Sequence, residues 1–574
     1  MILLKAAERF LKKMIDVLSD WSSHFFDNKY RIIWFLLAAI LFSLQVIPRL
    51  WMDSALTDEA WETTSGYYYW LTGDVVSPHN HPPLGDALNA FPLLFMHLKT
   101  QPHIWNNSEN RAYAFYYLSN LDKLDWILIS SRLMALFFSL GTGFLIYLLV
   151  YWESSIVFLF ALLFWAFEPD MLAFSTVSKA DAPFTFFCIA SLFCFLKSCE
   201  KKSWKLIFLT GVMTGLATTS KLTGLCLMPI YFGLDILTFR KQTWDIYQWV
   251  QRWVAGILGF MVTIFFVFVP ATVKLSDHSN PFYYFYLKIK EVFWLRNNLH
   301  VSTYFLGQSY SSEHWWQFPV IFALKSPVPF TVLLFAGITG FSIDKIKLPN
   351  WVWFFPLVWI IFLHSSPLVY LRYALPAYPA LILWAARGAE WLWTIGKDNR
   401  WRSLRWILIF AAFWNVVSVT FYFSNQIGYF NDFVLPNQKI ELLDSHYYDL
   451  NQDLKRLGQI SKKRQWTHVK LAYAGQDDPY YYGLALWEPW SFQDLEKPQA
   501  GTVYVIEREM LVGGSNGFPI HQSWPNVLKP TGAIGDTWYY YEFSGSTKTL
   551  DKTPLLPSTP YLVYQNAPYR RGIK

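Results

Sequence analysis

Asp58 and Glu59 stand side by side in the segment ALTDEAW, directly after the first strongly apolar run, IIWFLLAAILFSLQVIP. Neighbouring carboxylates repel each other unless a cation or a proton joins them, so a site built there handles protons or meets positive charge. Further along the same loop, HPPLG sets His81 before two prolines that restrict their own φ and that of the residue ahead. A lone histidine is commonly a hydrogen-bonded structural residue; its rigid setting makes His81 a candidate pocket residue. Asp181 and Lys221 form a second acid and base. Lys205 to Lys221 is sixteen residues, about 24 Å of helix against a hydrocarbon core of about 30 Å. Lys197 back to Asp181 gives the same depth. Both charges then lie below an outer membrane surface, where they need each other as an ion pair or a polar cavity opening outward.

Composition supplies the membrane. The 574 residues are 53% hydrophobic and 20% aromatic but only 16% charged, and apolar runs recur between short basic loops. The net charge of +7 needs no nucleic acid to explain it, because the basic residues gather in those loops. Eleven spans are expected, at 32–50, 126–151, 155–168, 182–197, 206–219, 222–238, 253–272, 319–341, 351–366, 373–393 and 405–424. A cytoplasmic N-terminus puts KSCEKKSWK, FRKQTW, IDKIKL and GKDNRWRSLR all inside, as the positive-inside rule demands. The expected architecture is a multi-pass α-helical membrane protein whose spans and first outer loop (51–125) make up residues 1–424. Residues 425–574 form a small extracytoplasmic α/β domain, with strands in HVKLAYAG, GTVYVIE and TWYYYEF and a helix around NQDLKRLGQI. The cell (inner) membrane is the expected location.

Other features bear on packing. No cleavable signal peptide is read at the start; MILLKAAERFLKKMIDVL suits an interfacial helix on the cytoplasmic leaflet. Leu84, Ala87, Leu88, Phe91, Leu94, Phe95 and Leu98 share one helical face, so this stretch could lie along the membrane surface, kinked at Pro92. The YYYW run at 67–70 is expected in the interfacial aromatic belt; DPYYYGLALWEPW is open between core packing and acceptor contact. Four cysteines in or beside apolar segments give no disulfide framework.

Taken together, TDEAW, HPPLG, SRLMAL, EPDMLAFSTVSKADAPFTFF, GLATTSKLTGL, FALKSPVPF and RYALPAYPALILWAARG resemble glycosyltransferase family 39. These are protein O-mannosyltransferase-like membrane enzymes of the C-type glycosyltransferase fold. YFNDF, LLDSHYYDLNQDLKRL and VKLAYAGQDDPYYYG look like its bacterial branch with an outer domain. The pieces span nearly the whole chain in order. Phe174 stands where the family would place a polar histidine, and DLNQDL where a Trp-Gly pair is usual.

The resemblance implies inverting transfer of a sugar, with mannose one candidate, from a polyprenyl-phosphate donor to an acceptor on the outer face. Asp58 matches the family's first-loop acid and would be the general base; Glu59 would orient the loop or the acceptor. Asp181 matches the second acid and, with His81, would shape the pocket or bind acceptor. The departing lipid phosphate needs cations, for which Lys221, Arg372, Lys325 and Arg132 are candidates. Snorkelling is the alternative for each, most of all for Lys325 and Arg132. Protein, lipid and polysaccharide acceptors all fit.

No Asp-x-Asp occurs, which argues against a nucleotide-sugar enzyme that grips a diphosphate through a divalent ion. His79, His81, Asp58 and Glu59 could gather around a cation, but their spacing matches no metal motif, and no metal or other cofactor is expected to be required. The rival from another class is a transporter or flippase of lipid-linked sugars. Carriers usually show internal repeats, and none is found here.

Overall fold

The computed structural model describes residues 30–75, 81–100, 108–239, 246–274, 280–298, 303–310, 314, 316–363, 370–435, 438–443, 447–473, 477–484, 487–491, 493–494, 498–511, 525, 528–535 and 537–543. The amphipathic start at 1–18 and His79 lie outside them.

The apolar runs fold as helices. In chain order these are α1 (Arg31–Val46), α2 (Glu59–Thr72), α3 (Leu84–Ala90), α4 (Leu124–Val150), α5 (Ser155–Ala166), α6 (Asp181–Lys201), α7 (Trp204–Ser220) and α8 (Leu227–Phe239). Then follow α9 (Ile246–Lys274), α10 (Pro281–Asn298), α11 (Gln317–Lys325), α12 (Val328–Ser342), α13 (Asn350–Leu363), α14 (Tyr378–Ile395), α15 (Ser403–Thr420) and α16 (Leu454–Arg464). Five helical stretches among the described residues are long and apolar enough to cross a membrane: Arg31–Met52, Leu121–Val150, Asp181–Lys201, Ile246–Val273 and Asn399–Thr420.

The expected span at 319–341 is two helices, α11 and α12. Pro327 forces the residue before it out of the helical region, and Ser326 is extended at φ −95°, ψ 146°. The expected span at 222–238 likewise starts as a 3-10 turn, Leu222–Cys226, before α8.

Two other expectations change in the first loop. Of the face expected along a surface, Leu84, Ala87 and Leu98 are buried in protein, while Phe91 and Phe95 stay exposed. Pro92 ends α3 in a 3-10 turn, Phe91–Phe95, and α3 buries Asp86 and Asn89 along with its apolar side chains. Close backbone approach explains this burial. A Cβ on Gly66 of α2 would stand 2.0 Å from the Asp86 carbonyl, and one on Gly85 would stand 2.6 Å from the Ala180 side chain. Tyr67, Tyr68 and Tyr69 form no belt either; they are buried, with Tyr67 packed on Phe115.

Beyond residue 447 the chain forms a five-stranded mixed sheet of order β4-β3-β5-β7-β6: β3 (Val469–Ala472), β4 (Trp487–Pro489), β5 (Val503–Glu507), β6 (Gly532–Ile534) and β7 (Trp538–Glu542). A small hairpin, β1 (Thr303–Phe305) and β2 (Gln308–Tyr310), precedes it in the chain. β3 runs parallel to β4 and β5, and β7 pairs antiparallel with β5 and β6. Leu454 and Leu457 of α16 pack on one face with Leu471, Val505 and Trp538. In the aromatic segment, Trp487 and Trp490 are buried and Tyr481 stacks on Tyr117 of the first loop at 4.5 Å, so these three pack, while Tyr480 stays exposed.

Candidate functional site

The turn into α2 sets the site. Asp58 is the residue before the helix and adopts a left-handed backbone, φ 67°, sparsely populated for a residue with a side chain. The Glu62 amide donates to the Asp58 carbonyl at 2.9 Å, starting the helix. The Asp58 side chain is 33% exposed and accepts from Lys179 Nζ at 2.9 Å.

Glu59 points the other way, into the protein, with no exposed surface. Its Oε1 accepts from Arg132 Nε at 2.9 Å and from the Ser178 amide at 2.9 Å; its Oε2 accepts from Arg132 Nη2 at 2.6 Å and the Leu56 amide at 2.9 Å. Arg132 also donates to the carbonyls of Leu50, Asp53 and Ser54. These contacts narrow one expectation and overturn another. Glu59 is closed to a substrate, so its place is that of a residue orienting the loop. Arg132 is fully buried and committed to Glu59 and backbone, which leaves its guanidinium no face for a lipid phosphate. Lys325 is likewise placed elsewhere: its Nζ donates to the carbonyls of Ile427 (2.8 Å) and Tyr447 (2.6 Å), beneath the Phe430 ring.

The remaining expected residues come together. α2 grips the segment before α6: Thr63 Oγ1 lies 3.0 Å from Ser178 Oγ, and the Ala180 amide donates to Glu62 Oε2 at 3.2 Å. Asn89 of α3 donates to the Lys179 carbonyl at 2.8 Å. That places Asp181, at the start of α6, against Lys221, at the end of α7, with Lys221 Nζ donating at 2.5 Å. The Lys221 ammonium also lies 4.3 Å from the Tyr373 ring centre. Arg372 sits beside it, its guanidinium 4.8 Å from the Tyr370 ring centre and 5.4 Å from that of Tyr373. Among the described residues it has no hydrogen-bond or ion-pair partner, and its Nε is buried unpaired.

His81 feels Lys221, Asp181, Arg372 and Lys179 together. Burial, and then the Lys221 charge, lower its pKa to about 3, so the imidazole is neutral at physiological pH. Burial raises Glu62 to about 7; Lys179 pulls it down, while Asp58 and Asp181 push it up. Burial, followed by the Glu62 charge, also holds Asp86 well above the ordinary carboxylate range, against Lys288, Lys179 and Lys221.

Lys179, Glu62 and Asp86 were missed by sequence reasoning. Two signals existed: Glu62 follows Asp58 by four positions, one helical turn, and Lys179 precedes Asp181 by two in KADAP. Asp86 carried none, since only tertiary packing turns it inward. Among the described residues no three His, Cys, Asp or Glu converge as a metal would need. The cluster offers a half-open carboxylate, a neutral imidazole and two cations held by aromatic faces, which suits proton removal beside an anionic leaving group.

Comparison with known proteins bears on the same segments. The family described as dolichyl-phosphate-mannose-protein mannosyltransferase matches residues 125–272, which carry Arg132, Lys179, Asp181 and Lys221. Dolichyl-phosphate-mannose--protein mannosyltransferase 2 of Candida albicans is 30% identical over 119 residues, 18% of this chain and 15% of the relative's length. Among solved structures, ArnT from Cupriavidus metallidurans in the apo state aligns with a TM-score of 0.47 at 12% identity, over 89% of this chain and 97% of that one. The archaeal oligosaccharyltransferase AglB from Archaeoglobus fulgidus aligns with a TM-score of 0.45 at 10% identity, over 85% of this chain and 70% of that one. The resemblance to family 39 is thus matched by that family's own sequence pattern from 125 to 272, through α4 to α9.

Proposed function

We propose that this protein is an inverting membrane glycosyltransferase. It moves a sugar, mannose being the first to test, from a polyprenyl-phosphate donor to an acceptor on the outer face of the cell membrane. Eleven spans carry the chemistry, with the N-terminus cytoplasmic and the sheet beyond residue 447 outside. In the proposed step the acceptor hydroxyl gives its proton to the Asp58 carboxylate as its oxygen attacks the anomeric carbon. The bond from that carbon to the phosphate oxygen breaks on the opposite face, and its electron pair departs with the polyprenyl phosphate. Arg372 and Lys221 meet that charge, while neutral His81 and Asp181 shape the pocket. Lys179 holds the Asp58 carboxylate toward the cluster. Glu59 and Arg132 support the turn from behind.

The observation that carries this reading is Arg372. Arg372 is half-buried, and a buried Nε without a hydrogen-bond partner among the described residues is costly unless something anionic completes the guanidinium. It sits near enough to Asp58 and Asp181 to feel both, so an acid and a phosphate-seeking cation flank one space. The family match at 125–272, whose description names a lipid-phosphate mannose, supports the donor class.

The test is donor turnover. Purified protein in lipid nanodiscs, given polyprenyl-phosphate mannose and acceptor-bearing membranes, should consume the donor and transfer label, and Asp58→Asn should abolish this at unchanged yield. Movement of intact donor across a bilayer without consumption would make the protein a carrier. Normal transfer by Asp58→Asn would remove the base assignment.

A further inference from the structure

The backbone leading to Asp58 is held from the far end of the chain. The Ser54 amide donates to the Gln452 carbonyl at 3.1 Å and the Thr57 amide to the Leu450 carbonyl at 2.9 Å. Ser54 Oγ donates to the Asn451 carbonyl at 2.6 Å, and Asn451 Nδ2 donates to Thr57 Oγ1 at 2.8 Å. The Ala55 amide donates to the Tyr482 hydroxyl at 3.0 Å, and Arg456 Nη2 reaches Asp53 at 2.8 Å. Leu56 and Leu450 are buried together with Ala173, Val177 and Ile427.

Asn451 is itself left-handed, φ 65°, as Asp58 is at φ 67°. Asparagine tolerates that region better than most residues. A left-handed aspartate persists where its surroundings over-determine it, and here both sides are fixed. The Glu62 amide holds its carbonyl, and Asn451 holds the side chain of the residue before it.

We propose that the segment 449–456 is a positioning clamp for Asp58, with Asn451 its key side chain, so that the outer part of the chain sets the direction of the reacting carboxylate. Asn451 touches no reacting atom; it acts through Thr57. The inference rests on the reading of Asp58 as proton acceptor, since a clamp on an idle carboxylate would leave catalysis unchanged.

The test uses the full-length protein in membranes with polyprenyl-phosphate mannose as the donor probe, each variant normalised to folded protein by size exclusion. Asn451→Gly keeps the left-handed backbone and deletes the amide; Thr57→Val deletes the hydroxyl at similar shape; Thr57→Ser restores it. The clamp predicts kcat about ten- to a hundredfold lower for the first two, with donor KM within about twofold of wild type. Thr57→Ser should recover most of the rate, and the double variant should be no slower than the slower single one. Wild-type kcat per folded molecule in Asn451→Gly and Thr57→Val, with Asp58→Asn inactive beside them, would refute the clamp alone. Turnover by Asp58→Asn would refute the reading of Asp58 and the clamp with it.

Discussion

Arg132 separates a phosphate contact from a structural pillar, and the two make opposite predictions for Arg132→Met. Methionine would fill similar volume but strip Glu59 of its partner at a position where Glu59 has no exposed surface. Breaking a buried ion pair by removing one side costs about 3–5 kcal/mol, because the other charge is left uncompensated. The carbonyls of Leu50, Asp53 and Ser54 lose their donors as well, at about 1–3 kcal/mol for each one left dry. The total rivals the whole stability of a typical domain, about 5–15 kcal/mol, so the variant should fail to accumulate or should melt far below the wild type.

The companion variant Glu59→Gln/Arg132→Met removes both charges, while the single amide oxygen it introduces can still accept from one of the two backbone amides, Leu56 or Ser178, that Glu59 meets on separate oxygens. It should therefore regain part of the lost stability. The assay is size exclusion of detergent-solubilised protein after a heating series. Wild-type melting of Arg132→Met, combined with a raised donor KM alone, would refute the structural account and restore Arg132 as a phosphate ligand.

Arg372→Ala should leave the melting curve near wild type and raise donor KM about tenfold or more, as loss of a charge-assisted contact would; Lys221→Ala should do the same but also lower stability, since it strips Asp181 of its partner, and titrating donor on both separates the effects. With Glu62 raised to about 7, ionisation above that pH adds negative charge beside the phosphate, so donor KM should climb as pH rises through about 7 and stay flat in Glu62→Gln. Asp477, which accepts from Tyr117 at 2.7 Å and Tyr482 at 3.0 Å, is pushed by burial to about 7 from an ordinary 3.8. Between those values the folded protein keeps a proton the unfolded chain has lost, so that stability is present at low pH and is lost as pH rises through about 7. Asp477→Asn should flatten the melting temperature measured from about pH 5 to pH 8.

What the sequence made legible follows from which forces act locally. Apolar runs cut by basic loops show themselves without any tertiary information, and each expected span contains helix. Asp58, Asp181, His81, Lys221 and Arg372 stood out because charge or rigidity beside an apolar segment is conspicuous, and the structure gathers all five. The failures were of facing. Tyr67–Tyr69, Leu84 and Ala87 read as interfacial because sequence pattern says which residues share a side, not whether membrane or protein covers it. Arg132 and Lys325 carry the same charge in the sequence as Arg372, and only their partners distinguish them: Glu59 and carbonyls for the first, two carbonyls for the second, aromatic rings for the third.

The distinction among those cations also explains how one region can keep a half-open carboxylate and a guanidinium on aromatic rings so close. Left to themselves, Asp58 and Arg372 would be drawn into an ion pair, which would extinguish both of the roles proposed for them. The backbone prevents it. Glu59–Arg132 fixes α2 from below, Thr57 and Asn451 fix the turn from outside, and Lys179 occupies Asp58 from the side. Arg372, meanwhile, is held by Tyr370 and Tyr373, which attract a cation without neutralising it. On the proposed reading, a half-open carboxylate has one face left for a substrate hydroxyl beside its lysine, and a guanidinium resting on π faces can leave them for a phosphate, a stronger partner than a ring.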